Sequence, residues 1–107
     1  DFGAFRVPGC PRCGGLLKPA VVFFGETVPK ARVERASQRL AEADALLVVG
    51  SSLMVFSGYR FCRQAAERQQ AIVAINRGHT RADTLLTLKI DADCAAVLNG
   101  LLARLTL

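Results

Sequence analysis

No run of apolar residues in this 107-residue sequence approaches the roughly 20 needed to cross a bilayer, which excludes a membrane-spanning helix. Nor does a basic stretch lead into an apolar one at the start, so no secretory signal is read. Histidine and methionine occur once each, as His79 and Met54. With Asp1 in first place and Met54 the only methionine, the expectation is a processed chain or, preferably, a segment of a longer one. The sequence shows no internal repeat and no low-complexity tract. It also lacks any Lys/Arg run studded with aromatics, the usual mark of a nucleic-acid interface.

The length suits one small domain near the lower limit for a self-sufficient core. An apolar fraction of 51% and a charged fraction of 21% fit a globular α/β chain rather than a disordered one. The formal net charge is +5, but the arginines are scattered. Arg32, Arg35 and Arg39 share one helical pattern with Glu34 and Glu42, which reads as a solvated helix face and disfavours nucleic acid as a partner. Phosphate-bearing small ligands tolerate the same charge.

Residues 1–18 hold Pro8, Gly9, Pro11, Gly14 and Gly15 without periodicity and read as loop or knuckle. Residues 20–24, a short β-branched and aromatic run closed by Gly25, predict a buried strand. Pro29 suits the first turn of a helix in which Val33, Ala36, Leu40 and Ala43 recur at three- and four-residue steps. A strand over 45–49 follows, closed by Gly50, then a helix through Gly58, Phe61, Cys62, Ala65, Ala66 and Gln69. A third strand is expected over 71–75 and a weaker fourth over 85–90. The last helix, capped by Asp93, has Leu98, Leu101, Leu102 and Leu105 on one face. Alternating apolar runs and amphipathic helices predict a Rossmann-like α/β fold: a parallel sheet with crossover helices and both faces covered.

Of the four cysteines, only Cys10 and Cys13 have metal-like spacing; Cys62 and Cys94 sit in helical patterns and read as packing residues. With no signal read, a reducing compartment is the default. A redox pair also uses C-x-x-C, but it must open a helix, and Gly14-Gly15 breaks one. Glycines there allow a tight turn whose N–H groups face a thiolate, so the pair reads as half of a tetrahedral zinc site. Cys62 and Cys94 could complete it in principle; a second C-x-x-C outside this segment fits better.

Polar residues follow three strand ends: Gly50-Ser51-Ser52, Asn76-Arg77-Gly78 and Asp93-Cys94. In a parallel sheet these ends share one edge, where ligands bind. A glycine admits close approach of a phosphate, and hydroxyls and an amide can bond phosphate or ribose oxygens. The residues alone reach as far as a nucleotide or phosphate ester.

Taken in order and spacing, C-P-R-C-G-G-L-L-K-P-A-V-V-F-F-G-E, L-L-V-V-G-S-S-L-M-V, A-I-N and D-C-A-A-V-L resemble the second half of the sirtuin core, over nearly the whole chain. The stretch G-S-S-L-M-V-F-S-G-Y-R-F looks most like the class II branch, which includes a mitochondrial member and many bacterial ones. The resemblance implies an NAD-dependent protein-lysine deacylase. Residues 1–19 would be the remainder of a small zinc-binding module, and 20–107 the C-terminal part of the Rossmann-like NAD-binding domain. Cys10 and Cys13 would be the second pair of a structural four-cysteine zinc site. Val22, Phe24, Gly25 and Glu26 would line the acyl-lysine channel, with Leu53, Met54 and Val55 facing the peptide from the other side by strand addition. Gly50, Ser51 and Ser52 would hold the phosphate-ribose portion of NAD. Asn76, Arg77 and Gly78 would meet the adenosine ribose, and Cys94 the adenine through its backbone.

In such enzymes the acyl oxygen attacks the nicotinamide ribose, and a histidine then acts as general base on a ribose hydroxyl. The resemblance puts that histidine, the glycine-rich NAD loop and the Q-N-x-D segment upstream of Asp1. His79 does not match its position, so no catalytic residue is expected in this chain and the segment alone is expected to be inactive. Two rivals are a non-catalytic zinc-ribbon binding module and a degenerate relative that folds without catalysis. A bacterial cytoplasm, or the mitochondrial matrix of a eukaryote, is the expected location.

Overall fold

Three parallel strands organise the computed structural model, which describes residues 2–105. Asp1, Thr106 and Leu107, the outer ends of the two expected domains, lie outside the described residues. The strands are β1 (Ala45–Val49), β2 (Ala71–Ile75) and β3 (Leu88–Ile90), ordered β1-β2-β3. Leu47 is in register with Val73, and Val73 with Leu88. The helices are α1 (Lys30–Ala41), α2 (Phe56–Glu67) and α3 (Cys94–Leu105). The Rossmann-like parallel core expected from the alternating pattern is therefore present.

Local chemistry sets these boundaries. Pro29, at φ −51, stands where α1 begins and a missing N–H leaves no helical bond unmade. The charged side of α1 carries Lys30–Glu34 (3.4 Å) and Arg39–Glu42 (2.8 Å), both exposed, so its arginines are a solvated face. Such pairs add only a few tenths of a kcal/mol each. After α2, Gln69 turns left-handed at φ 57 and ends the helix that its spacing had seemed to extend. Gln70 then donates from Nε2 to the carbonyls of Leu40 and Ala43, tying the end of α1 to the start of β2. Asp93 caps α3 as expected, its Oδ1 accepting from Ala96 N at 3.1 Å.

The core lies between the sheet and α1/α2. Leu40, Val48, Leu53, Cys62, Ala65, Ile72, Ala74 and Ala82 form one buried cluster. Cys62 is wholly enclosed, and burial pushes its thiol pKa up, which makes it the inert packing residue its pattern suggested. Ile72 is equally enclosed, and truncating it to alanine should cost about 2–5 kcal/mol.

Three expectations need correction. The run at 20–24 forms no strand: all five residues are exposed, and the chain turns where Glu26 N donates to Phe23 O (3.0 Å) and Glu26 Oε2 accepts from Phe23 N (3.0 Å). No neighbouring strand offers it a ladder among the described residues, and its apolar side chains line a cleft instead. Only one sheet face is covered, because α1 and α2 share a side while Leu47, Val49 and Leu88 stay exposed on the other. The leucine face of α3 is exposed as well, Leu98 to Leu105 included. Finally, the strand expected over 85–90 is shortened to β3, since residues 83–85 coil into a 3-10 turn with Leu85 N donating to Ala82 O at 2.7 Å.

Residues 3–26 pack little, and the Cα radius of gyration, 18.4 Å, exceeds the ~13 Å of a compact 100-residue domain.

Candidate functional site

The carboxyl ends of the strands meet as parallel topology requires. Gly50, just past β1, donates its N–H to Ile75 O at 2.9 Å, and Cys94 Sγ approaches the same carbonyl at 3.2 Å. Asn76 N donates to Ile90 O at 3.1 Å, and Gly78 N to Asp91 Oδ1 at 3.2 Å. Gly50, Asn76, Gly78 and Cys94, singled out from separate stretches of sequence, thus lie along one edge. Gly50 and Gly78 have φ of 61° and 72°, the left-handed region that glycine enters without strain.

The side chains at this edge are partly committed. Ser51 Oγ accepts from Leu53 N at 3.2 Å, which leaves its hydrogen free to donate outward. Ser52 is exposed, and its carbonyl accepts from Arg81 N at 2.8 Å. Asn76 Nδ2 donates to Arg77 O at 2.8 Å, leaving Oδ1 as an acceptor. Arg77 faces Asp93 at 3.5 Å, an exposed pair that offsets its charge beside the edge.

A second feature is an open cleft of about 540 Å³. Val22, Phe24, Gly25 and Glu26 line one wall, and Val55, Ser57 and Arg60 the other. Of Leu53, Met54 and Val55, expected to face a peptide from the other side, only Val55 lines this cleft. Gly25 has φ 87 and open space where a Cβ would stand. Leu53 departs from expectation: its side chain is buried in the core against Gly58, so only its backbone is available to a ligand. Met54 is exposed nearby but is not among the cleft-lining residues.

Cys10 and Cys13 stand on an exposed knuckle. Gly14 N donates to Cys10 O and Cys10 N to Gly15 O, both at 2.8 Å, and Gly9 pairs with Leu16. Gly14 takes φ 70 to close the turn. The backbone N–H groups of Arg12, first, and Cys13, next, lower the Cys10 thiol below its ordinary pKa. Among the described residues no third His, Cys, Asp or Glu joins them in a metal-binding group. Cys62 lies inside the core and Cys94 against Ile75, so neither completes the pair.

One polar cluster lies outside every motif read above. Asp83 accepts from Lys89 Nζ at 2.8 and 3.0 Å, from Thr80 Oγ1 at 2.6 Å and from Thr80 N at 3.1 Å. The Lys89 ammonium, then the Thr80 hydroxyl, hold its carboxyl well below the usual carboxylate range. His79 is exposed, its Nδ1 3.3 Å from Asp83 Oδ2. The only advance signal was the three-residue Thr80–Asp83 spacing of a side-chain-to-backbone turn. Arg81 carries no such signal, because its hydrogen-bond partners Met54 and Ser52 lie 27 residues or more away.

A three-stranded parallel sheet with α1 and α2 on one face and glycine-marked strand ends along one edge defines a Rossmann-like α/β core. Residues 2–57 match the Sir2 family model. NAD-dependent protein deacetylase 2 of Bradyrhizobium diazoefficiens is 59% identical over 102 residues, covering 95% of this chain and 37% of that protein. The mitochondrial NAD-dependent protein lipoamidase sirtuin-4 of Bos taurus is 55% identical over 98 residues, covering 92% and 31%. A solved complex of Sir2 with p53 peptide and NAD+ superposes with a TM-score of 0.78 at 30% identity, covering 92% of this chain and 41% of that one. The chain belongs to the Sir2 family, the sirtuins, and spans about a third of the length of the curated relatives it matches.

Proposed function

We propose that this chain is the C-terminal half of an NAD-dependent protein-lysine deacylase, contributing the strand-end edge to NAD and the adjacent cleft to an acyl-lysine peptide. The observation that carries this reading is the meeting of Gly50, Ile75 and Cys94 at one carbonyl, beside a cleft walled by residues 21–28 and Val55. A simple zinc ribbon has no reason to build such an edge, which argues against the non-catalytic alternative.

Gly50 lets a phosphate approach the backbone, the Ser51 and Ser52 hydroxyls donate to phosphate or ribose oxygens, and Asn76 Oδ1 accepts from the adenosine ribose. Arg77 and Gly78 border that ribose, and Cys94 lies beside the adenine. When bound, NAD would supply the ribosyl carbon that takes up the acyl oxygen as nicotinamide leaves, and with one water consumed the products would be nicotinamide, the free lysine and O-acyl-ADP-ribose. The wall at Val22, Phe24, Gly25 and Glu26 and the segment at Leu53, Met54 and Val55 hold the peptide between them by backbone bonds, which demand little of its sequence.

His79 lies on the Asp83 side of its loop, and we assign it no part in proton transfer. The catalytic base belongs to the part of the protein outside this segment, so residues 2–105 alone are inactive. Cys10 and Cys13 fit two corners of a structural zinc tetrahedron, supported by the knuckle hydrogen bonds and the lowered Cys10 thiol, with two further thiolates from the rest of the protein. In domain terms, 1–19 is the remainder of that module and 20–107 the C-terminal part of the NAD-binding domain. The class II resemblance supports a bacterial cytoplasmic or mitochondrial matrix location.

The experiment is steady-state deacylation of an acetyl-lysine peptide by the full-length protein and its Gly25→Val variant. Valine fits poorly at φ 87 and puts a branched side chain into the cleft, so peptide KM should rise by at least about tenfold while NAD KM changes little. A rise in NAD KM with unchanged peptide KM would overturn the assignment of this wall.

A further inference from the structure

Leu53 occupies the left-handed region at φ 57, although its side chain is that of an ordinary core leucine. A non-glycine residue there is strained by about 1–2 kcal/mol and keeps the conformation only where its surroundings over-determine it. The surroundings are specific. Arg81 N donates to Ser52 O at 2.8 Å, and Arg81 Nη1 donates to Met54 O at 3.0 Å. One residue thus grips the carbonyls on both sides of Leu53.

The guanidinium is itself held. It lies 4.6 Å from the centroid of the Tyr59 ring and 5.9 Å from that of Phe56, both in the first turn of α2. A planar cation stacked on rings keeps its edge N–H groups for hydrogen bonding, which an ammonium cannot do in the same way. The loop that carries Arg81 is pinned one residue earlier and two later by the Thr80–Asp83–Lys89 ties.

We infer that Arg81 is a positioning residue for peptide binding: by clamping the Ser52 and Met54 carbonyls it fixes the turn that presents Met54 and Val55 beside the cleft. The inference rests on the proposed peptide role of Leu53, Met54 and Val55. Arg81 does not line the cleft, so its effect passes through that turn. Without the clamp Leu53 relaxes toward an unstrained conformation, and each peptide-binding event must restore the turn. Affinity for peptide falls, while the chemistry of the assembled complex does not change.

The test uses the full-length protein with Arg81→Gln, Arg81→Lys and Val55→Trp, measuring peptide KM, kcat, NAD Kd and Tm. Val55 is exposed and lines the cleft, so its tryptophan variant reports whether this segment borders the peptide at all. The expected result is a peptide KM raised about tenfold in Arg81→Gln and about threefold in Arg81→Lys, with kcat within about twofold of wild type and NAD Kd moved clearly less than peptide KM. If Val55→Trp raises peptide KM and Arg81→Gln does not, the inference is overturned and the peptide reading stands. If neither raises it, the reading of this segment fails and takes the inference with it. Parallel losses in peptide KM, NAD Kd and Tm would make Arg81 a general prop and also overturn the inference. Should Arg81→Gln not fold, Arg81→Lys decides, and a wild-type peptide KM there overturns it.

Discussion

Gly50 and Cys94 are held to one acceptor: the Gly50 N–H and the Cys94 sulfur both approach the Ile75 carbonyl, and a Cβ built on Gly50 would stand 3.6 Å from that sulfur. That spacing is ordinary van der Waals contact, so a small side chain has room. The backbone is the constraint, because φ is 61°. In Gly50→Val the branched residue is strained by about 1–3 kcal/mol, and relief must move the β1 end away from β2 and α3. Tm should fall and NAD binding should weaken at least about tenfold in the full-length protein, with Gly50→Ala milder on both. Calorimetric titration beside thermal unfolding checks this. Wild-type values in Gly50→Val would remove Gly50 from the cofactor edge.

The Cys10–Cys13 knuckle predicts one zinc per full-length chain. Cys10→Ser or Cys13→Ser should release it and lower Tm, since a hydroxyl is a poor zinc ligand and structural zinc contributes directly to folding. Residues 1–107 alone should bind zinc weakly, as two thiolates leave the tetrahedron half empty. Elemental analysis of the purified full-length protein is the measurement. Absence of zinc together with freely reactive thiols at both positions would refute the assignment.

Asp83 predicts a pH dependence. Its folded pKa is depressed, so its ties to Lys89 and Thr80 stabilise the protein above the ordinary carboxylate value near 4 and are lost as pH falls through the lower folded value. The Tm difference between wild type and Asp83→Asn should be level from about pH 5 to 8 and shrink below about pH 4. Making both proteins in a His79→Gln background keeps the neighbouring imidazole out of the comparison. A difference that grows on acidification would mean Asp83 does not buttress the connection between β2 and β3.

The sheet was legible because its strands need no context. Residues 45–49 and 71–75 are continuous apolar runs closed by Gly50 and Asn76, and β1 and β2 occupy those same residues. The run at 20–24 has the same composition but no partner strand, and apolar character alone does not separate a strand from a cleft wall. The strand-end edge was legible for topological reasons, since parallel strands deliver their carboxyl ends to one side. Arg81 was not, because a clamp on Ser52 and Met54 leaves no periodicity in sequence. Leu53 shows the reverse limit. Motif position puts it beside the peptide, whereas its left-handed backbone turns the side chain into the core.

Asn76 offers the sharpest separation of cofactor from peptide. Its backbone N–H extends the β2–β3 ladder to Ile90, and its Nδ2 is spent on Arg77 O, so Oδ1 is the group left for a ligand. In Asn76→Ala the ladder bond survives and the loss is confined to the side chain. A neutral hydrogen bond in a partly buried crevice is worth about 1–3 kcal/mol when its ligand partner is left unsatisfied. NAD affinity of the full-length protein should therefore fall roughly ten- to a hundredfold, at about 1.4 kcal/mol per decade. Peptide KM at saturating NAD should change by less than about twofold, since the cleft is lined by residues 21–28, Val55, Ser57 and Arg60 instead. Tm without ligand should move little, because Asn76 is only half-buried. Unchanged NAD affinity in a well-folded Asn76→Ala would mean that the strand-end edge is not where the cofactor sits.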